Sequence, residues 1–163
     1  MMEAPADKEI AVIIIRGRAI IDAPIRTVFH ILTDLSSYAE WNPWAIKVDG
    51  EAKEGEVICV KAGNTPQKIH NYQHRVLSVK SNSELVWCDT GWVTTFACAK
   101  RIRSLEALDH GRCVLVSTLE ITGICSRLIG LVYGCAIQRH LLKELAALAA
   151  RAELMSSRHW SFS

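Results

Sequence analysis

The sequence predicts an α+β domain: an antiparallel sheet of about seven strands with one long C-terminal helix on one face, and two short helices after the first strand. Three observations carry this reading. Residues 10–22, IAVIIIRGRAIID, are dense in β-branched side chains and precede a short helical repeat bounded by Pro24 and Pro43. Residues 56–122 break into strand-like runs separated by short turns, the pattern of an antiparallel meander. From Ser126 to about Leu154 there is no proline, and leucine and alanine dominate, which predicts a helix of roughly seven or eight turns.

Each element follows from local pattern. From Ile13 the odd positions (Ile13, Ile15, Gly17, Ala19, Ile21) are small or apolar, while Arg16, Arg18 and Asp22 fall on even ones. That alternation makes a half-buried strand. Asp22-Ala23-Pro24 then reads as a helix start, with Ile25, Val28, Phe29 and Leu32 on one helical stripe. His30 falls off the stripe and reads as solvated. Ser36 or Ser37 is placed to cap a second short helix that Pro43 ends. Residues 47–50 lead into a turn near Gly55. Further strands are expected at 56–62, 67–79, 84–90, 92–105 and 112–122, with turns at 63–66, 81–83, Gly91 and 109–111. Gly123 breaks the last of them. In the long helix, the stretch from Leu128 to Ile137 is apolar nearly all round. The second half sets Leu141, Leu142, Leu145 and Leu148 against Arg139, Lys143, Glu144 and Arg151. A helix apolar on all sides has to be covered on all sides. Its first half is therefore expected against the sheet and against a ligand cavity or a partner.

Composition narrows the function classes. The 163 residues fit one domain, expected at 1–155, with 156–163 as a loose tail in which Trp160 and Phe162 have the option of docking. Half the residues are apolar, and 19 basic against 17 acidic residues leave a formal charge of +2 with no basic run, so no nucleic-acid footprint is expected. There is no G-x-G-x-x-G and no P-loop. None of the six cysteines forms a C-x-x-C pair or stands at metal-finger spacing to a histidine, so they read as reduced, largely buried thiols. No cofactor and no metal are expected. The N-terminal MMEAPADKEI lacks the basic and apolar regions of a secretory signal, and the most apolar run is too short to span a bilayer. A soluble, cytoplasmic chain is expected, monomeric or homodimeric.

Several segments resemble the START-like, or SRPBCC, superfamily, and within it the polyketide cyclase/dehydrase branch. Ile20-Ile21-Asp22-Ala23-Pro24 followed by Val28-Phe29 is similar to that family's strand-to-helix entry. Thr33-Asp34-Leu35, Tyr38 and Trp41-Asn42-Pro43 resemble its D-x-x-x-Y-x-x-W-N-P signature. Val76, Leu85-Val86-Trp87, Glu120-Ile121-Thr122-Gly123 and the stretch from Ala147 to Glu153 resemble its later strands and closing helix. The resemblance runs from about Ile13 to Glu153. It implies a helix-grip (START/Bet v 1-like) fold with a cavity between sheet and helix. Two departures stand out. The family's Gly-Thr before its seventh strand is Gly111-Arg112 here, and a short loop between the third and fourth strands leaves no room for a large lid.

Strand period assigns faces to the cavity walls. In 92–104 the even set (Trp92, Thr94, Phe96, Cys98, Lys100, Ile102) is the more apolar and is expected inside. Leu85 and Trp87 are expected inside, with Asp89 near the inner rim. His70, Tyr72 and His74 share a face with Val76, and neither face of that strand is plainly apolar. It is either a cavity wall with hydrogen-bonding groups or a polar, solvent-facing strand, and the inward orientation is the one expected.

The resemblance implies a cofactor-independent cyclase or dehydratase acting on a hydrophobic polyketide-like or related natural-product intermediate. Such chemistry needs a base and an acid within reach of substrate. His70, Tyr72, His74, Asp89 and Glu120 are the candidate catalytic residues, and Trp41, Trp87, Trp92, Phe96 and Tyr133 the candidate substrate contacts. Each has a plainer reading. The aromatics read as core before they read as ligand contacts, Glu120 as support for a helix start, and Trp41 with Asn42-Pro43 as a plug and a stop. The same cavity suits a non-catalytic carrier of an apolar small molecule or lipid, and the apolar helix half suits an interaction module.

Overall fold

The computed structural model describes residues 12–63 and 69–160. Strand β1 (Ile13–Ile21) is followed by helix α1 (Ile25–Thr33), a 3-10 turn (Leu35–Ser37) and the single-turn helix α2 (Tyr38–Trp41). Then come β2 (Ala45–Asp49), β3 (Val57–Gly63), β4 (Ile69–Lys80) and β5 (Glu84–Asp89). A second 3-10 turn (Trp92–Thr95) precedes β6 (Cys98–Ala107) and β7 (Cys113–Thr122), and α3 (Ser126–Trp160) closes the chain. This is the α+β architecture expected, with one curved seven-stranded antiparallel sheet.

Strand order is β1-β7-β6-β5-β4-β3-β2, so β1 and β2 lie at opposite edges. The segment between them has to carry the chain across the whole sheet. This is why α1, α2 and the turn joining them cap one end of the concave face. Residues Val28, Ile31, Leu32, Leu35, Tyr38 and Trp41 of this segment are buried. Burying one such aliphatic side chain contributes about 1.5–3 kcal/mol. Strand β2 lies where the sequence shows only a run towards a turn. Its five residues, with Ala45 and Val48 alone buried, are too few to display a period.

β1 keeps the alternation its sequence shows: Ile15, Gly17 and Ile21 are buried, and Ile14, Arg16, Arg18 and Ile20 are exposed. Gly17 lets α3 lie close. A Cβ there would meet Leu145 Cδ1 at 2.7 Å and Leu141 Cδ2 at 3.3 Å. Leu141, Leu145, Leu148 and Ala152 form the buried stripe of α3. The apolar first half behaves differently from the expectation. Ile129, Gly130 and Ile137 turn towards the sheet, but Leu128, Leu131, Val132 and Tyr133 are 58–86% exposed, so the outer face is bare in this chain. A single sheet covers only one side of a helix. The helix also runs to Trp160, past the expected end and into the stretch read as a tail.

Other expectations fall on residues outside those described. These are 1–11, most of the turn at 63–66, and 161–163 with Phe162. Among the described residues no helix is long and apolar enough to cross a membrane.

Gly123 turns the chain from β7 into α3 with φ +109°, and a Cβ on it would stand 2.5 Å from the Phe96 carbonyl oxygen. Gly55 has φ +88° but open space around it. Gly55→Ala is expected to cost about 1–2 kcal/mol of left-handed strain. Gly123→Ala is expected to cost about 2–5 kcal/mol, because strain and a backbone collision combine. Urea unfolding of the two variants checks this, and equal losses would contradict the collision.

Candidate functional site

A cavity of about 350 Å³ lies between the concave sheet, the α2–β2 corner and the middle of α3. Val60 and Ala62 come from β3, Tyr72 and His74 from β4, Trp87 and Asp89 from β5, and Ala99, Arg101 and Arg103 from β6. Leu119 of β7, Tyr38 of α2, Asn42, Trp44 and Ala45 of the α2–β2 corner, and Ile137, His140, Leu141 and Glu144 of α3 complete the wall.

Strand β6 corrects the expected face. The odd residues Ala99, Arg101 and Arg103 point inward, and Leu105 joins the core. The even residues of the strand, Cys98, Lys100 and Ile102, face out, with Lys100 opposite Glu120. Counting apolarity favours the even set, but it ignores what the helix offers. Glu144 sits on the α3 stripe with Leu141, Leu145 and Leu148 and enters the cavity floor. Arg103 is 2% exposed and Glu144 6%. Arg101 Nη1 donates to Glu144 Oε2 at 2.8 Å, and Arg103 Nη2 donates to Oε1. Arg103 also stacks over the Trp87 ring, 4.3 Å from its centroid. Burial works against the Glu144 carboxylate, but Arg101 and Arg103 outweigh it and hold its pKa below the ordinary 4.5. Tyr38, in the same floor, donates its hydroxyl to the Leu32 carbonyl at 2.6 Å. Burial pushes its pKa up to about 12.

Towards the outer end, aromatic rings on β4 and β5 form a ladder. His74 lies 6.1 Å from Trp87 at 23°, and Tyr72 lies 6.3 Å from His74 at 14°. Asp89 is opposite His74 in the register, with its Oδ1 2.9 Å from His74 Nδ1. That contact has ion-pair distance but not the alignment of a hydrogen bond. Asp89 Oδ2 accepts the Ala99 N–H at 3.0 Å, which fixes the carboxylate.

The α2–β2 corner supplies the remaining wall. Asn42 Oδ1 accepts the N–H groups of Trp44 at 2.9 Å and Ala45 at 3.2 Å, so the side chain that ends α2 also sets the Trp44 backbone. Trp44 stacks on His140 at 3.9 Å and 13°, and its indole N–H donates to the His140 carbonyl. Burial lowers the His140 pKa below 6.5, assisted by Lys143 and Arg139.

Of the residues singled out from sequence, Tyr72, His74, Asp89 and Trp87 meet at the cavity. His70 is exposed and does not line it, although its ring lies 6.1 Å from Tyr72. Glu120 faces away, on the convex side, with Lys100 at 3.8 Å. Trp41 is buried in the core edge-on to Tyr38, Phe96 is 46% exposed, and Tyr133 is 58% exposed on α3. Trp92 belongs to the 3-10 turn after Gly91 and not to a strand, and its side chain lies outside the described residues. Sequence reasoning missed Tyr38, Trp44, Arg101, Arg103, His140 and Glu144 as cavity residues. For Glu144 a signal existed: it keeps the i, i+3, i+4 spacing of the leucine stripe. Among the described residues no group of three or more His, Cys, Asp or Glu stands together as a metal site.

No protein-family model matches this chain, and no curated protein does. Solved structures do. The Zhui aromatase/cyclase from Streptomyces sp. R1128 superposes with a TM-score of 0.73 over 88% of this chain and 94% of that one, at 17% identity. The chain has the same helix-grip fold. Norcoclaurine synthase from Thalictrum flavum, solved with dopamine and hydroxybenzaldehyde, shares the helix grip at TM-score 0.67 and 12% identity, over 86% of each chain. The di-domain aromatase/cyclase StfQ from the steffimycin pathway matches at TM-score 0.72 and 12% identity over 90% of this chain. This helix-grip chain spans 52% of StfQ's length. At such identities the likeness is one of fold.

Two predictions follow from the floor. Glu144→Ala leaves two guanidinium groups buried against no anion and is expected to cost about 3–5 kcal/mol in urea unfolding. A loss under about 1 kcal/mol would mean that the cluster is solvated, as for a surface pair. Tyr38 holds its proton more tightly folded than unfolded. Its contribution is full below pH 10 and drains as pH rises towards about 12. Tyr38→Phe is expected to lose stability less steeply than the parent over that range, as measured by denaturant midpoint against pH.

Proposed function

We propose that this protein is a cofactor-independent cyclase/dehydratase that takes a hydrophobic, polyketide-like or related natural-product intermediate into its cavity. The observation that carries the reading is a histidine–carboxylate pair and a buried guanidinium cluster in the wall of one largely apolar cavity. The fold neighbours named as aromatase/cyclases support the reaction class.

In this reading neutral His74 removes a proton from the carbon next to a substrate carbonyl. Asp89 orients the ring and stabilises the imidazolium that forms. Negative charge moves to the carbonyl oxygen, where Arg101 and Tyr72 are the available donors. The enolate re-forms its carbonyl as the C–O bond to the neighbouring hydroxyl breaks, and the imidazolium returns its proton to that oxygen. One C–H and one C–O bond break, one C=C bond forms, and water leaves. Trp87, Leu119 and Ile137 exclude solvent and hold a flat carbon skeleton.

The test is the dehydration of an aromatic β-hydroxyketone of one or two rings, followed by the absorbance of the enone. The unmodified protein is expected to accelerate it. His74→Ala is expected to lower kcat/KM by roughly 10²–10⁴, with His70→Ala and Glu120→Gln near the parent. Full activity in both His74→Ala and Asp89→Asn would overturn the assignment. Tight binding of a compound that is never turned over supports a carrier instead.

A further inference from the structure

We infer that the cavity takes a ligand with a carboxylate head and an apolar or aromatic body, the head seated at the floor against Arg103 and Arg101. This rests on reading the cavity as a small-molecule site, and not on the elimination proposed above.

The inference starts from the charges in the floor. Two guanidinium groups share one carboxylate, Glu144, which gives one oxygen to each. Arg103 is 2% exposed, lines the cavity, and its Nη1 has no hydrogen-bond partner among the described residues. The cavity's other carboxylate is already engaged. Asp89 is held by His74 and by the Ala99 N–H. The register also keeps it away: Arg103 pairs with Leu85, four residues back along β5 from Asp89. Four residues of strand span about 13 Å. The Tyr38 hydroxyl already donates to Leu32, and among the described residues no other carboxylate lines the cavity.

A buried guanidinium with a free donor is matched by a planar, singly charged acceptor. A monocarboxylate completes two positive charges against two negative ones, whereas a dianionic phosphate overshoots. The remaining wall decides the body of the ligand. Val60, Trp87, Leu119, Ile137 and Leu141 offer no charge. A ligand seated head-down on Arg103 then runs its apolar part past Trp87 towards His74. The carboxylate thus fixes which carbon meets the histidine.

The experiment is calorimetric titration of the full chain with 2-naphthoic acid, its methyl ester and its carboxamide, which differ in charge and little in shape. The acid is expected to bind roughly tenfold or more tightly than either neutral analogue, as charged hydrogen bonds imply. Arg103→Met is expected to abolish the preference while leaving ester binding in place, and Arg103→Lys to retain part of it. Equal affinity for all three, tighter binding of a neutral form, or no binding of any overturns the inference. So does a preference that survives in Arg103→Met, because the acid is then held elsewhere. If Arg103→Met does not fold, the three-ligand comparison on the unmodified protein still decides. A failure of the dehydration assay leaves this result untouched, since no turnover is involved.

Discussion

The pairing of Arg101 and Arg103 with Glu144 ties the helix to the sheet through buried charge, where the core is not closed by apolar side chains. Desolvating three charged groups is expensive, and the cluster is held only by good geometry. Each Glu144 oxygen meets a guanidinium, and Trp87 lies under one of them. The consequence reaches well beyond three residues. Once Arg103 points inward, every odd residue of β6 does, and the even residues are turned to the convex surface. Apolar side chains such as Ile102 then lie outward while charged ones lie inside. The cavity exists partly because these groups resist being packed over.

The crossing from β1 to β2 fixes the other end of the site. The segment that spans the sheet edge to edge cannot be a free loop, because it covers the open end of the core. Leu35, Tyr38 and Trp41 bury themselves there, and Asn42 turns the chain so that Trp44 stacks on His140. The stretch from Asp34 to Pro43 therefore does two things. It plugs the core with Trp41, and it lends the cavity Tyr38 and Asn42. A helix stop and a cavity wall are the same residues seen from two sides.

Polarity along the cavity is graded. Its floor carries a net positive cluster, its middle is Trp87 with aliphatic walls, and its outer end carries the His74–Asp89 pair with Tyr72. Such an arrangement holds a molecule in one orientation, with its polar group deep and its reactive carbon near the histidine. The bare outer face of α3 belongs to a different problem. One sheet can cover one face of a helix, so the leucines on the far side are left in solvent in the isolated chain.

Local pattern alone determined a good deal: the alternation of β1, the stripe of α1, the meander and its turns, the long helix and the break at Gly123. These rest on periods of 2 and 3.6 and on backbone stereochemistry, which act within a few residues. Pattern also put Tyr72, His74 and Asp89 on compatible faces. What only the tertiary structure decided was which face of β6 is inner, because the answer depends on a glutamate 41 residues away from Arg103. The same holds for Tyr38, Trp44 and His140, which reach the cavity through contacts between distant elements. It also holds for His70, left at the exposed end of its strand, and for Glu120, which shares the convex face with Lys100. Charged side chains take their direction from the partner that neutralises them, and that partner is supplied by the fold.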